Sequence, residues 1–394
     1  MGCRRNAMTE IKNTTAPGAS VAAGAEQSSI KHSDSIIDPY DSVNEDSVNM
    51  TDDAFDRYRR SMWNYMDSDY LRTVTMSQLY DTVYASKPPI IDGLLYPGTY
   101  ILAGAPKLGK SFLVVQIAYH ISTGQPLWGF NVRKGSVLYL ALEDDYRRLQ
   151  KRLYRMFGVD ASANLHMSTE AQTLNSGLAD QLEGFVRDHP DTKMIIIDTL
   201  QKVRGGAGDK CSYSTDYQDI ARLKMLTDKM GICLIIVHHT RKQQADDKFD
   251  MISGTNGLLG AADGGLLLSK EKRTSSAAIL DIAGRDQQDQ RLRLVRDHEK
   301  LSWQLEKAET ELYKEPPDPL IETVAKLVSA KKPKWRGTAT ALANELGLEM
   351  KPNTLTMRLN VTADRLFSEH GILYKNSRSH AGRQITLDYT LPPA

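Results

Sequence analysis

Residues 104–111 read Gly104-Ala105-Pro106-Lys107-Leu108-Gly109-Lys110-Ser111, a G-x-x-x-x-G-K-S octapeptide. The run before it, Thr99-Tyr100-Ile101-Leu102-Ala103, is apolar and reads as a strand. The run after it, Phe112-Leu113-Val114-Val115-Gln116-Ile117-Ala118-Tyr119, reads as a helix. Strand, glycine turn and helix in that order build a phosphate loop. The two glycines let backbone N–H groups turn inward, and the helix N-terminus adds the positive end of its dipole. Lys110 then reaches the β- and γ-phosphates, and the Ser111 hydroxyl ligates Mg²⁺. Gly104 to Phe112 are therefore the expected contacts of a nucleoside triphosphate.

Outward from this loop, strand-like runs alternate with amphipathic stretches over 90–310, which predicts an α/β domain with a mostly parallel sheet. Strands are expected at 137–142, 194–197 and 234–237. Between the last two, Ile220, Leu223, Leu226 and Met230 mark one face of a helix. Runs at 264–269, 276–283, 291–296 and 301–305 follow so closely that they predict hairpins extending the sheet. Residues 1–50 are rich in small polar residues without apolar periodicity and are expected to be disordered. Residues 51–89 form an expected helical arm and linker, with Phe55, Tyr58, Met62, Trp63 and Met66 at helical spacing and Leu79 and Tyr80 beyond.

After a Pro-rich linker at Glu315–Pro319, residues 318–394 read as three helices near 319–330, 337–346 and 353–369. Two strands follow, near 371–375 and 383–388. That order predicts a winged-helix-like domain, with Arg378 and Arg383 on its wing. Residues 321–394 hold eleven Lys/Arg against six Asp/Glu, a local net of +5.

The whole chain of 394 residues is nearly neutral at +1, with 41% hydrophobic and 25% charged residues, so any attraction to nucleic acid must be local. The cysteines, Cys3, Cys211 and Cys233, are odd in number and lack metal-ligand spacing. No apolar run approaches the roughly 18 residues that span a bilayer. The start Met1-Gly2-Cys3-Arg4-Arg5-Asn6 has Asn where a myristoylation signal needs Ser or Thr. A cytoplasmic protein is expected.

Asp198 ends the strand 194–197 in the Walker B position, opposite Ser111, where a carboxylate holds Mg²⁺. Thr199 follows it, so the water-activating base does not come directly after Walker B. Glu143, at the end of strand 137–142, is the expected general base, while Asp144 or Asp145 caps the helix Tyr146–Phe157. His238-His239 ends another strand at the sheet edge where α/β sites gather, and one of the pair is expected to hydrogen-bond the γ-phosphate. The loop Thr240–Leu258 is long, first basic (Arg241, Lys242, Lys248) and then glycine-rich, the composition of a functional loop.

Together these residues resemble the RecA-like hexameric ATPases, most closely the plasmid RepA-type replicative helicases. The likeness covers about 90–305. It rests on the phosphate loop, Leu140-Ala141-Leu142-Glu143-Asp144, Ile195-Ile196-Ile197-Asp198-Thr199-Leu200, Val237-His238-His239-Thr240-Arg241-Lys242 and Ala283-Gly284-Arg285-Asp286. The resemblance implies ATP and Mg²⁺ held at the seam between subunits of a ring, a hexamer, with single-stranded DNA in the central channel. It makes His239 the γ-phosphate sensor and Arg285 an arginine finger supplied to the neighbouring subunit. The chain carries Ala283 where bacterial replicative helicases often place a Lys, and it adds a head and a tail to the core that plasmid RepA helicases can consist of.

Two functions follow. One is a DNA-dependent ATPase that translocates on or unwinds DNA, its loop 240–258 lining the pore. The other is a replication regulator or recombination-type ATPase whose tail binds duplex DNA under nucleotide control. A small-molecule kinase would need an acceptor pocket and lid, for which the sequence offers no segment.

Overall fold

The computed structural model describes residues 71, 73–84, 87–204, 213–240, 257–270, 272, 275–285, 287–311, 316–379 and 382–390. The expected disordered head, most of the arm including Phe55 to Met66, Cys3, Cys211, Arg241, Lys242, Lys248 and most of the loop 240–258 lie outside these residues. Within them, the larger core has one sheet of nine strands in the order β3-β2-β4-β5-β1-β6-β7-β8-β9. The strands are β1 (Gly98–Gly104), β2 (Val137–Ala141), β3 (Leu165–Ser168), β4 (Met194–Asp198), β5 (Cys233–His239), β6 (Gly264–Ser269), β7 (Ala277–Gly284), β8 (Gln287–Arg296) and β9 (Trp303–Ala308).

Neighbours from β3 through β6 pair in parallel, and β6 to β9 continue antiparallel as hairpins. The expected mostly parallel α/β sheet with a hairpin extension is therefore what forms. Parallel strands need both faces covered, so β1, β2 and β4 are buried at every position. Two apolar clusters divide the sheet faces. One packs α2 (Lys110–Thr123) and α3 (Tyr146–Phe157) over Leu102, Tyr139, Ile196 and Ile235. The other gathers α4 (Leu178–Asp188), α5 (Leu200–Val203), α6 (Tyr213–Met230) and α7 (Gly257–Ala261) over Ile101, Leu140, Ile197 and Ile236. The face foreseen on α6 is the one used: Ile220 and Leu223 are buried, with Leu226 and Met230 packed beside them. The edge strand β3 and the helix α4 were not expected. Every residue of β3 is only half-buried, so it lacks the strong apolar signature of its neighbours.

The C-terminal segment has its own core around Ile321, Leu342, Leu355, Leu359, Ile372 and Leu387. Its order is α8 (Pro319–Leu327), β10 (Lys334–Gly337), α9 (Ala339–Glu345), α10 (Pro352–Val361), α11 (Ala363–His370), β11 (Ile372–Ser379) and β12 (Gly382–Tyr389). The strands form an antiparallel sheet in the order β10-β12-β11. Two expectations change here. The single helix expected at 353–369 is interrupted at Thr362, whose hydroxyl turns back to the Arg358 carbonyl at 2.8 Å. The basic run preceding the second helix contains a short strand, because Trp335 points into the core between exposed Lys334 and Arg336. From the arm, the helix α1 (Met76–Asp81) is closed by a capping box between Thr75 and Gln78. It packs against α10, with the Asn360 side-chain amide donating to the Tyr80 carbonyl at 2.8 Å. Among the described residues no helix is long and apolar enough to cross a membrane.

Candidate nucleotide site

The loop between β1 and α2 is shaped from three sides. Lys107 and Gly109 hold left-handed φ angles of 64° and 107°, the alternation that turns successive N–H groups into an anion-binding concavity. Gly104 lies so close to β6 that a Cβ would meet the Leu268 carbonyl oxygen at 2.6 Å. A Cβ on Gly109 would lie 2.9 Å from the Trp303 ring, and the Trp303 indole N–H donates to the Gly109 carbonyl at 3.3 Å.

Trp303, at the start of β9, is fully buried and locked in turn. Its backbone N–H donates to the Gln116 amide oxygen at 2.7 Å. Its carbonyl accepts from the Gln116 amide at 2.8 Å and from the Trp128 indole at 2.7 Å. The hairpin extension thus folds back as a brace under the loop. Phe112, the first residue past Ser111, is flanked by the guanidinium groups of Arg152 at 4.9 Å and Arg296 at 4.4 Å from its ring centre.

At the carboxyl edge of the sheet the expected side chains converge. The buried Lys110 ammonium donates to the carbonyls of Gly104 at 2.7 Å and Ala105 at 3.1 Å, and lies 3.1 Å from His239 Nδ1. Burial pulls the Lys110 pKa down to about 8, against the opposing pull of Asp198 and Glu143. Asp198 is buried and accepts from the Tyr139 hydroxyl at 2.8 Å, with the Ser111 side chain beside it. Desolvation raises its pKa, and the Ser111 and Tyr139 side chains resist that rise. Tyr139, deep in the core, is driven well above the ordinary phenol range by burial and by the Asp198 charge.

Glu143 lies just past β2 with an exposed carboxylate, whose Oε1 accepts from the Thr199 hydroxyl at 3.1 Å. Asp145 is the cap of α3, accepting from the Arg148 N–H at 2.8 Å. Asp144 instead pairs with Arg152 at 2.6 Å. Of the two histidines, His239 turns to Lys110. Its pKa is lowered by burial first and by the Lys110 charge second. His238 is held at about 4 by burial, next by Arg204, itself paired with Asp216 at 2.7 Å and Asp219 at 3.0 Å.

Arg285 is not part of this group. It is exposed in the turn between β7 and β8, with its N–H on the Asp263 carbonyl at 2.9 Å and its guanidinium on the Gly260 carbonyl at 3.0 Å. Gly284 pairs with Gly264, whereas Gly104 pairs with Leu268. Arg285 therefore lies at the amino edge of β6, and about 13 Å of strand separates that edge from the phosphate loop.

Hard oxygen donors suit Mg²⁺, and the Ser111 hydroxyl and the buried Asp198 carboxylate beside it would be two of them. Among the described residues no group of three or more His, Cys, Asp or Glu could hold a metal. A cation at this site would be held by one hydroxyl, one carboxylate, phosphates and water. Such an ion would neutralise charge on the phosphates and fix their orientation. Sequence reading gave no role to Tyr139, Thr199, Gln116 or Trp303, whose contacts come from pairing of segments distant along the chain.

Sheet order, loop and edge carboxylates define the class: an α/β core built around a phosphate loop. Residues 68–245 match a family described as AAA domain. The DNA repair protein RadA of Streptococcus pneumoniae is 26% identical over 157 residues, covering 39% of this chain and 33% of RadA. RadA of Streptococcus pyogenes is equally similar, over 39% of this chain and 30% of its own. The chain thus spans about a third of the length of the curated relatives it matches. Among solved structures, a DnaB-like replicative helicase studied with primase superposes with a TM-score of 0.46 and 15% identity, over 63% of this chain and 70% of the other. A KaiC-like protein from Pyrococcus horikoshii gives 0.41 and 14%, over 57% and 99%.

Proposed function

We propose that this chain hydrolyses ATP at the seams of a ring, a hexamer, and uses turnover to translocate on or unwind DNA, as a replicative helicase of the plasmid RepA type. The observation that carries the reading is the separation between Arg285 and Lys110. Lys110, Ser111, Asp198, Glu143 and His239 share one sheet edge, while Arg285 is exposed at the other, beyond reach of its own loop. An arginine so placed can serve a nucleotide only on a neighbouring copy. In this scheme Lys110 and Ser111 bind phosphate and metal, Asp198 holds the metal, Glu143 activates water, His239 reports the γ-phosphate and Arg285 stabilises transition-state charge in trans. The name of the RadA relatives places them in DNA repair, which favours DNA as the polymer acted on. The test is ATPase activity with and without single-stranded DNA, together with unwinding of a forked duplex. Stimulation with strand separation supports the helicase; stimulation alone reduces it to a translocase or loader.

A second reading rests on the tail. The order helix, strand, three helices and a hairpin, with the first strand paired to the last, favours a winged-helix-like fold. With a local charge of +5 it suits duplex DNA, in a regulator or recombination-type ATPase without helicase activity. Removing 318–394 separates the readings: loss of duplex binding with ATPase retained favours the regulator.

A further inference from the structure

Tyr139 is the one hydroxyl in the core of β2, and its position is set by register. Tyr139 pairs with Ile196 and Ala141 with Asp198, so Tyr139, Ala141, Ile196 and Asp198 all face α2. The tyrosine therefore starts two residues below the carboxylate and must reach about 6.5 Å up the strand to meet it. Its ring has that length. Ala141, the residue that intervenes on this face, is small enough to let the ring pass. The outcome is a hydrogen bond of 2.8 Å from the hydroxyl to Asp198 Oδ2, inside a residue only 1% exposed. A hydroxyl placed in an otherwise apolar cluster costs free energy unless it is satisfied, and Asp198 is the partner that satisfies it.

We propose that Tyr139 is a positioning residue for the metal-binding carboxylate: by tying down Oδ2 it fixes the rotation of Asp198, so that the other carboxylate oxygen faces the phosphate loop in one orientation. This rests on the nucleotide-site reading above. Tyr139 itself touches neither phosphate nor metal, and it acts through Asp198. A carboxylate held only by its own torsion would sample orientations in which it cannot share a cation with Ser111. Residues that orient a ligand group from behind typically change metal affinity by about 10–100-fold when altered.

The experiment uses the full chain with ADP and Mn²⁺, whose free ion is counted by electron paramagnetic resonance. Tyr139→Phe keeps the ring and removes the donor. It should weaken Mn²⁺ binding to the ADP complex about tenfold or more, while ADP affinity in EDTA stays that of the wild type, which also reports an intact fold. Added to Asp198→Asn, Tyr139→Phe should produce no further loss, because its effect passes through that carboxylate. A second variant, Ala141→Val, retains the hydroxyl but crowds its path and should lower Mn²⁺ affinity in the same direction. Wild-type Mn²⁺ affinity in Tyr139→Phe would overturn the proposal, as would an equal loss in the Asp198→Asn background. A wild-type chain that binds no ADP would instead remove the nucleotide-site reading itself, a distinguishable failure.

Discussion

The ammonium of Lys110 lies 3.1 Å from Nδ1 of His239, joining the phosphate loop to the end of β5 through one hydrogen bond. A lysine has only donors, so Nδ1 accepts and the ring proton sits on Nε2. A triphosphate would compete for the same ammonium. Its arrival would release His239, which is how an imidazole at this position could register the phosphate and pass the change to the loop that follows.

Lys110 titrates near 8, and phosphate binding needs its charged form. Below that pH the lysine is already protonated, and nucleotide affinity should be nearly independent of pH. Above it, binding must take up a proton, and affinity should fall about tenfold per pH unit. Calorimetric titrations in buffers of different ionisation enthalpy should show proton uptake at pH 9 and little at pH 7. Equal uptake at both would contradict the assignment.

Lys110→Ala should abolish nucleotide binding. Glu143→Gln should retain ATP and hydrolyse it about 10²–10⁴-fold more slowly, the range attached to general-base catalysis. Binding assays paired with single-turnover hydrolysis separate the two outcomes. A Glu143→Gln variant with wild-type turnover would exclude Glu143 as the base.

Trp303→Ala should destabilise the chain by about 3–5 kcal/mol, as loss of a large buried aromatic does. Because the indole braces Gly109, Trp303→Phe should keep most of the stability yet weaken nucleotide binding through a looser loop. Urea melts and ADP titrations on both variants check this. Wild-type affinity in Trp303→Phe would mean that the brace serves packing alone.

His238 sets an acid limit. Its folded pKa of about 4 lies below the unfolded value near 6.5, so the unfolded chain binds the proton first. The stability it contributes is complete above pH 6.5, declines as pH falls, and is gone by about pH 4. The loss is on the order of 3 kcal/mol. His238→Gln should flatten that part of the stability–pH profile in chemical denaturation; an unchanged slope would place the titration elsewhere.

What could be read in the sequence was what is local along the chain. The octapeptide 104–111 carries its own geometry, and Asp198, Glu143 and His239 each end an apolar run, so their shared edge follows from parallel pairing. Tyr139 and Trp303 could not be read that way. Tyr139 looks like any core aromatic until register places Asp198 beside Ala141. Trp303 is 194 residues from Gly109, and only the backward fold of the hairpins brings the two together. Trp335 was hidden differently, because the cations around it drowned the alternation of a four-residue strand.

The central claim is that one copy supplies Lys110 and its neighbour supplies Arg285. Mixing Lys110→Ala chains with Arg285→Ala chains, each inactive alone, tests it most directly. At equal amounts about a quarter of random seams would pair an intact lysine with an intact arginine, and ATPase activity should return to that order. Mixtures as inactive as their components at every ratio, with subunit exchange verified, would contradict a shared site.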